Sequence, residues 1–531
     1  MGDHLLSAFV ALPFVSALFV ALLPKQSTAG QRFVAGTTMA AALAFLVGLV
    51  LGGFDTARGG LQFAESTAWI PSFHVNWALG LDGLALVLLL LSALIHFIAV
   101  IATPRDIAGS KGYYALLLVL FGGVNGVFLA TDLFLFYVFW ELMLIPMYFL
   151  IGIWGGEQRR RAAGKFILFT LFGSVLMLVG LVAVYLRSGA EGVAPTFDIY
   201  ALQSQAASWI TDSGGMFGMD FSSWIFLLFF LAFAVKIPVV PFHTWLPDAH
   251  VQAPTPVSVI LAGVLLKLGA YGMLRIAFPF APDAFADLAW LIATLGVINI
   301  VYGAWVALAQ TDFKRLVAYS SISHMGFFLL GMAGVAVAAD GAAHFEAGTR
   351  FNALAGASLQ LITHGISAAL MFLLVGAVYD RAQHRDLARM GGLGRVMPRY
   401  FAIATVGFFS SLGLPLLAGF VPEALTLFGA WPAWPLHVVV TAFGLMLTAV
   451  YLLQAYRSVL LGRTPDSCAS FRDLDRREMS SMLPLVIASI ALGVAPFLVL
   501  DLMAETLRTI LAGLPPDILP ASSIEITEGL R

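Results

Sequence analysis

Cysteine is almost absent: Cys468 stands alone in 531 residues. One thiol cannot close an internal disulfide or hold an iron–sulfur cluster, and there is no CxxCH for covalent haem. Charge is nearly as scarce. Asp, Glu, Lys and Arg make up 11% of the chain, against roughly a quarter in soluble domains. The net charge is −2, and no block of like charges is long enough to bind nucleic acid or form a solvated tail. A nucleic-acid partner is excluded. The start, MGDHLLSAFVALPFVSALFVALLP, lacks the basic n-region of a secretory signal, and its apolar run matches a spanning helix, so it reads as a retained first span. Metal-ligand spacing is missing too. His243 and His250 flank Asp248 with no cysteine to join them, which reads as a structural turn, and no metal is expected.

What fills the chain instead is apolar sequence, 60% of residues, with a mean hydropathy of +0.93. Lipid supplies no hydrogen-bond partner to exposed backbone, so continuous apolar runs must cross as helices. The reading is an all-α polytopic membrane protein. Windows of about 18 to 25 apolar residues begin near positions 4, 33, 84, 113, 132, 164, 223, 255, 286, 316, 354, 399, 436 and 481. They predict fourteen transmembrane helices.

The loops test that count, because Lys and Arg collect on the cytoplasmic side. Twenty of them, from Lys25 and Arg32 through Lys314 and Arg315 to Arg476 and Arg477, fall in alternate loops. The opposite side holds six: Arg58, Arg187, Arg275, Arg350, Arg508 and Arg531. This bias predicts both termini on the non-cytoplasmic side. Only Lys236 and Lys267 are left inside spans.

Two five-helix blocks, spans 4 to 8 and 9 to 13, each contain a broken fourth helix, at KIPVVPFHTWLPDAH and SLGLPLLAGFVPE. Five is odd, so adjacent blocks run in opposite senses, which is the pattern of inverted repeats with discontinuous helices. The expected organisation is residues 1–110 for spans 1 to 3, 111–280 for the first repeat, 281–465 for the second, and 466–531 for span 14 and the tail.

A charge at the bilayer centre costs about 2.5 to 3.5 kcal/mol on insertion scales, so each one needs a partner, water or a function. Six residues stand out. Glu141 has no cation among its own helical neighbours, so its partner must come from another helix. Lys236 sits two residues before Pro238, where a broken helix frees backbone carbonyls. Lys267 lies mid-span in VILAGVLLKLGAYGML, with small residues around it that permit close helix approach. His324 and His364 are candidates to pass protons, because an unperturbed imidazole titrates near neutral pH. Glu423 ends the second broken helix as a terminal acceptor. His96, equally buried by its context, receives no role.

The segments FWELMLIPMYFLIGIWG, KIPVVPFHTWLPDAHVQAPTPVSVILAGVLLKLGAYG, QTDFKRLVAYSSISHMGF and ITHGISAALMFLLVGAVYDR closely resemble antiporter-like subunit M of proton-translocating NADH:quinone oxidoreductase, respiratory complex I. Related subunits occur in Mrp-type cation/proton antiporters. The resemblance runs over nearly the whole chain, including GLDG at Gly80 to Gly83. It implies the fourteen-helix antiporter fold and proton movement driven by electron transfer elsewhere. It also implies a fifth-helix glutamate at Glu141 paired with Lys236, a central lysine at Lys267, linking histidines at His324 and His364, and a terminal acid at Glu423. No cofactor is expected in this chain; FMN, iron–sulfur clusters and quinone belong to partner subunits. The implied partners are L-type and N-type membrane subunits and a redox-active peripheral arm, in a bacterial inner membrane. The alternative is a subunit of an Mrp-type Na+/H+ antiporter or of a related membrane-bound hydrogenase or energy-converting complex. At the second break the family reads LPGTSGFVGE and this chain reads LPLLAGFVPE.

Overall fold

The computed structural model describes residues 4–189, 194–209, 219–336 and 347–513; Arg531 and the remainder of the tail lie outside them. In chain order the elements are α1 (Leu5–Leu22), α2 (Thr28–Gly52), a hairpin of β1 (Gln62–Ile70) and β2 (Val75–Leu81), α3 (Gly83–Ala102), α4 (Ser110–Leu129), α5 (Leu133–Trp154) and α6 (Arg159–Ser188). They continue with α7 (Phe221–Lys236), α8 (Trp245–Gln252), α9 (Thr255–Phe280), α10 (Ala289–Leu308), α11 (Phe313–Ala333) and α12 (Gly348–Ala382). The last five are α13 (Pro398–Ser411), α14 (Phe420–Ala430), α15 (Pro435–Leu460), α16 (Arg476–Val494) and α17 (Phe497–Ala512).

The chain is a mostly helical polytopic membrane protein. Among the described residues twelve helices are long and apolar enough to cross a membrane. The windows near 223 and 399 form no unbroken helix of that length. Proline and glycine split them into α7 and α8, and into α13 and α14.

Several of the helices begin at aspartates. Asp82 caps α3 through the Ala85 amide at 2.9 Å, Asp132 caps α5 through Phe134 and Leu135 at 2.9 and 3.0 Å, and Asp220 caps α7 through Ser223 at 2.7 Å. Asp475 forms a reciprocal capping box with Glu478 at the start of α16. Each carboxylate satisfies amides that the first helical turn leaves without partners.

Two of the capped starts share a backbone pattern. At α5, the Leu133 amide donates to Phe197 at 2.7 Å and the Ile199 amide to Thr131 at 2.9 Å, so Asp132 bridges Asp198. At α11, the Phe313 amide donates to Arg385 and the Leu387 amide to Thr311, both at 2.9 Å, so Asp312 bridges Asp386. Asp198 and Asp386 each cap their own following turn, at 2.8 and 3.0 Å.

One feature corrects the all-α reading, and another adds a helix beyond the fourteen windows. The antiparallel hairpin β1–β2 joins α2 to α3, with Thr67 opposite Trp77, and its Glu65 accepts from the Leu6 amide at 2.6 Å and the Ser7 amide at 3.0 Å. The hairpin thereby caps α1. It follows α2 without an apolar run, so hydropathy gives no sign of it. The second is α17, which packs on α3 and α12 and whose Thr506 hydroxyl accepts from the Gly83 amide at 3.0 Å.

The charge count also needs correction. Arg275 is buried inside α9 and paired with Asp82, the cap of α3, itself buried. Arg350 and Lys314 are buried in α12 and α11. None of the three is a loop cation, because each helix extends further than its apolar window.

Candidate functional site

The first break is built to leave few backbone groups without partners. Pro238 and Pro241 end α7 just after Lys236, and Asn299 of α10 reaches across: its Oδ1 accepts from the Val240 amide at 2.8 Å and its Nδ2 donates to Pro238 at 3.3 Å. Trp245 Nε1 donates to the Val235 carbonyl at 2.9 Å. Such satisfaction by protein groups is what permits interrupted backbone at membrane depth.

Lys236, at the end of α7, is buried. Its Nζ has no hydrogen-bond partner among the described residues and lies 5.5 Å from the ring centroids of both Trp140 and Phe166, within cation–π range. Glu141, the next residue after Trp140, has Ser174 and Lys236 as polar neighbours. No ion pair closes between Glu141 and Lys236, and the inner carboxylate oxygen Oε1 is buried without a hydrogen bond. Trp140 Nε1 instead donates to Ser174 at 3.2 Å.

Lys267 sits between two π-helical stretches of α9, Leu261–Leu265 and Met273–Ala277. Its Nζ donates to the Ala262 carbonyl at 2.5 Å and lies 2.9 Å from His364 Nδ1 on α12. Such π segments widen a helix and recur at functional positions. α9 meets α7 at Gly269, where an added Cβ would lie 2.8 Å from the Phe233 carbonyl oxygen and 2.9 Å from Lys236 Cβ. Only a glycine lets the two lysine-bearing helices touch there.

The row continues beyond His364. Its ring centroid is 5.8 Å from that of His324 on α11, and His324 Nδ1 is 3.3 Å from Glu423 Oε1 on α14. All three residues are buried. The structure therefore brings four of the six singled-out residues, Lys267, His364, His324 and Glu423, into one row, and sets Glu141 and Lys236 beside it as a separate polar site. His96 Nδ1 donates within its own turn, to the Ser92 carbonyl at 2.8 Å, and its ring lies against Phe121.

At the second break Gly413 has φ +76° beside Glu423. Leu416 has φ 72° and stands where the family pattern has glycine. A left-handed conformation costs a non-glycine residue about 1 to 2 kcal/mol, partly offset by glycine's greater chain entropy. Leu416→Gly is therefore expected to stabilise the protein by about 1 kcal/mol, read as a higher midpoint of thermal unfolding in detergent.

Sequence reasoning passed over several polar groups near the row. His250 stacks on Phe372 with centroids 4.4 Å apart and planes 9° apart, and it is a buried electrostatic neighbour of His364. Lys314 Nζ donates to the Ala253 carbonyl at 2.5 Å, and Arg385 Nη1 to Val251 at 2.7 Å, so two cations meet the carbonyl end of α8. Both face a cavity of about 780 Å³ that Asp312, Asp380, His384 and Glu478 also line. The signal for Lys314 was Asp312: as an N-cap it puts Lys314 in the first helical turn. His243 and Asp248 do not join His250; His243 packs edge-on against Tyr302 and Asp248 pairs with Lys165 at 2.8 Å and Arg315 at 3.1 Å.

A helical membrane fold with interrupted helices and a buried lysine–histidine–carboxylate row defines an antiporter-type ion-translocating subunit. Residues 130–448 match the family model described as NADH:quinone oxidoreductase/Mrp antiporter, TM, and the chain belongs to this family. NADH-quinone oxidoreductase subunit M of Rhodobacter capsulatus is 39% identical over 512 residues, covering 95% of this chain and 96% of its own. A chain of respiratory complex I from Thermus thermophilus with bound NADH superposes with TM-score 0.82 at 31% identity, over 96% of this chain and all of that one. A chain of the Mrp complex from Dietzia sp. superposes with TM-score 0.81 over 97% of this chain and 99% of that one; at 22% identity this likeness concerns the fold alone.

Proposed function

We propose that this chain is the M-type membrane subunit of a bacterial proton-translocating NADH:quinone oxidoreductase, resident in the inner membrane, and that it moves protons without doing redox chemistry itself. The observation that carries this reading is the buried row Lys267, His364, His324 and Glu423, whose members come from four different helices and lie within 2.9 to 5.8 Å of one another in sequence along the row. Full-length identity to subunit M relatives supports the assignment. FMN, iron–sulfur clusters and quinone belong to partner subunits in this reading, as do the L-type and N-type neighbours.

The full topology has fourteen crossings, with α7–α8 and α13–α14 as the two broken ones and both termini non-cytoplasmic. The repeats are residues 111–280 and 281–465. That they repeat is supported by the matched aspartate bridges, Asp132 to Asp198 and Asp312 to Asp386, each at the start of the second helix of its repeat, and their inverted relation follows from five crossings in each. Residues 1–110 and 466–531 flank them.

In the mechanism Glu141 and Lys236 form a switchable pair. Closed, the carboxylate neutralises Lys236, leaving Lys267 free of a nearby cation and able to hold a proton. Open, Lys236 repels the Lys267 ammonium, which gives its proton to His364 Nδ1. The proton passes to His324 and Glu423, and Lys267 is reloaded by way of His250 and the cavity under Lys314. Moving one charge across 100 mV requires about 2.3 kcal/mol, and one pKa unit is about 1.36 kcal/mol, so a shift of about two units suffices.

Glu141→Gln and Lys236→Met are each expected to lower the proton-to-electron ratio of the intact, reconstituted complex. Unchanged stoichiometry in both variants would refute the switch. The competing Mrp-type reading differs in its partners: the subunits that co-purify in mild detergent either include a redox arm or do not.

A further inference from the structure

We propose that the groove between α2 and α3 is a binding site for one anionic phospholipid, with its phosphate on Arg105 and Arg32 and one acyl chain lying between the helices. The groove holds about 740 Å³ and no acidic side chain lines it; Asp106, next to Arg105 in the chain, is not among its walls.

Its shape comes from small residues. Gly36 and Ala40 withdraw α2 from Phe97 and Val100 of α3, and a Cβ added at Gly36 would meet only Val100, at 3.7 Å. The space is thus open along the helix. From Arg32 to Ala40 the rise along α2 is about 12 Å at 1.5 Å per residue, close to half of a hydrocarbon core of about 30 Å. That depth suits a chain from one leaflet. A spanning helix of a partner would need both.

The basic groups lie together at one end. Arg32 is fixed there, its Nη1 donating to Thr103 at 3.0 Å and its Nη2 to Ile101 at 2.6 Å, the last carbonyls of α3 and its cap. Arg105 is exposed in the segment after α3 and makes no hydrogen bond or ion pair among the described residues. A guanidinium offers a planar fork of donors that matches a phosphate, and basic pockets between spanning helices recognise anionic headgroups. An apolar slot one leaflet deep beneath a free guanidinium is complementary to an anionic lipid at both of its ends.

The test uses the whole multisubunit complex in proteoliposomes carrying phosphatidylglycerol with a photoactivatable acyl chain, followed by mapping of the labelled peptides. Label is expected in residues 28–40 and 97–105. Arg105→Gln, which removes no hydrogen bond, is expected to reduce it by about fivefold, and Gly36→Leu, which fills the slot, to do the same. A phosphatidylcholine probe should label the groove weakly. Equal labelling by both probes, insensitivity to both substitutions, or an unlabelled groove cross-linked to a partner subunit would overturn the proposal.

Discussion

Lys267→Met, introduced into the intact complex, is expected to abolish proton translocation and to slow coupled turnover by about a hundredfold, the scale of a lost proton-transfer group. Lys267 is the only group bonded to both the α9 backbone at Ala262 and the α12 imidazole of His364 among the described residues, so methionine keeps the volume and cuts the row. The measurement is dye-reported acidification of proteoliposomes driven by NADH and a quinone analogue. Lys267→Arg separates two roles. Arginine keeps the positive charge and cannot release its proton, so a purely structural cation tolerates it and a proton carrier does not. Pumping in the arginine variant at the unmodified level would show that Lys267 only holds α9 to α12.

Asp82→Ala carries the largest expected loss of stability, about 3 to 5 kcal/mol, because it leaves Arg275 buried with no counter-charge. Both side chains are buried, at 8% and 3% exposure, so water does not take the carboxylate's place. The same substitution removes the α3 cap at Ala85, worth about 0.5 to 2 kcal/mol. Arg275→Met should recover most of the charge-related loss when combined with Asp82→Ala, leaving the cap deficit. Thermal unfolding in detergent of the single and double variants measures both parts. A double variant no more stable than Asp82→Ala alone would mean that the pair does not hold α3 and α9 together.

Much of the molecule was legible before any contact was known. Helices that bury one face in lipid and the other in protein are apolar all round, and such runs are found by counting along the chain; all twelve long helices lie at windows read from hydropathy. The two remaining windows were legible as broken, since Pro and Gly act on the backbone locally. Asp82 was visible within GLDG, but its partner Arg275 was read as a loop cation because a buried guanidinium and a loop guanidinium look alike in sequence. Lys314 was misread for the same reason. The hairpin carrying Glu65 and the amphipathic helix α17 carrying Thr506 escape a search for apolar runs of spanning length, because they cap α1 and α3 and do not span.

The six candidate residues were all named from the sequence, on the single ground that a charged or titratable group in lipid needs a reason. Their grouping was not so available. Pairing Glu141 with Lys236 and running a path to Glu423 came from resemblance; that Lys267 bonds His364, 97 positions away, that His324 and not a solvent group meets Glu423, and that Lys236 rests between Trp140 and Phe166 depend on how helices cross. The sequence by itself determined the solvent, the spans and which polar groups must lie among them, because hydropathy and backbone breaks act within one helix. Which buried charge faces which was decided only by tertiary structure, since every partner in the row stands on a different helix and glycines such as Gly269 set how closely those helices approach.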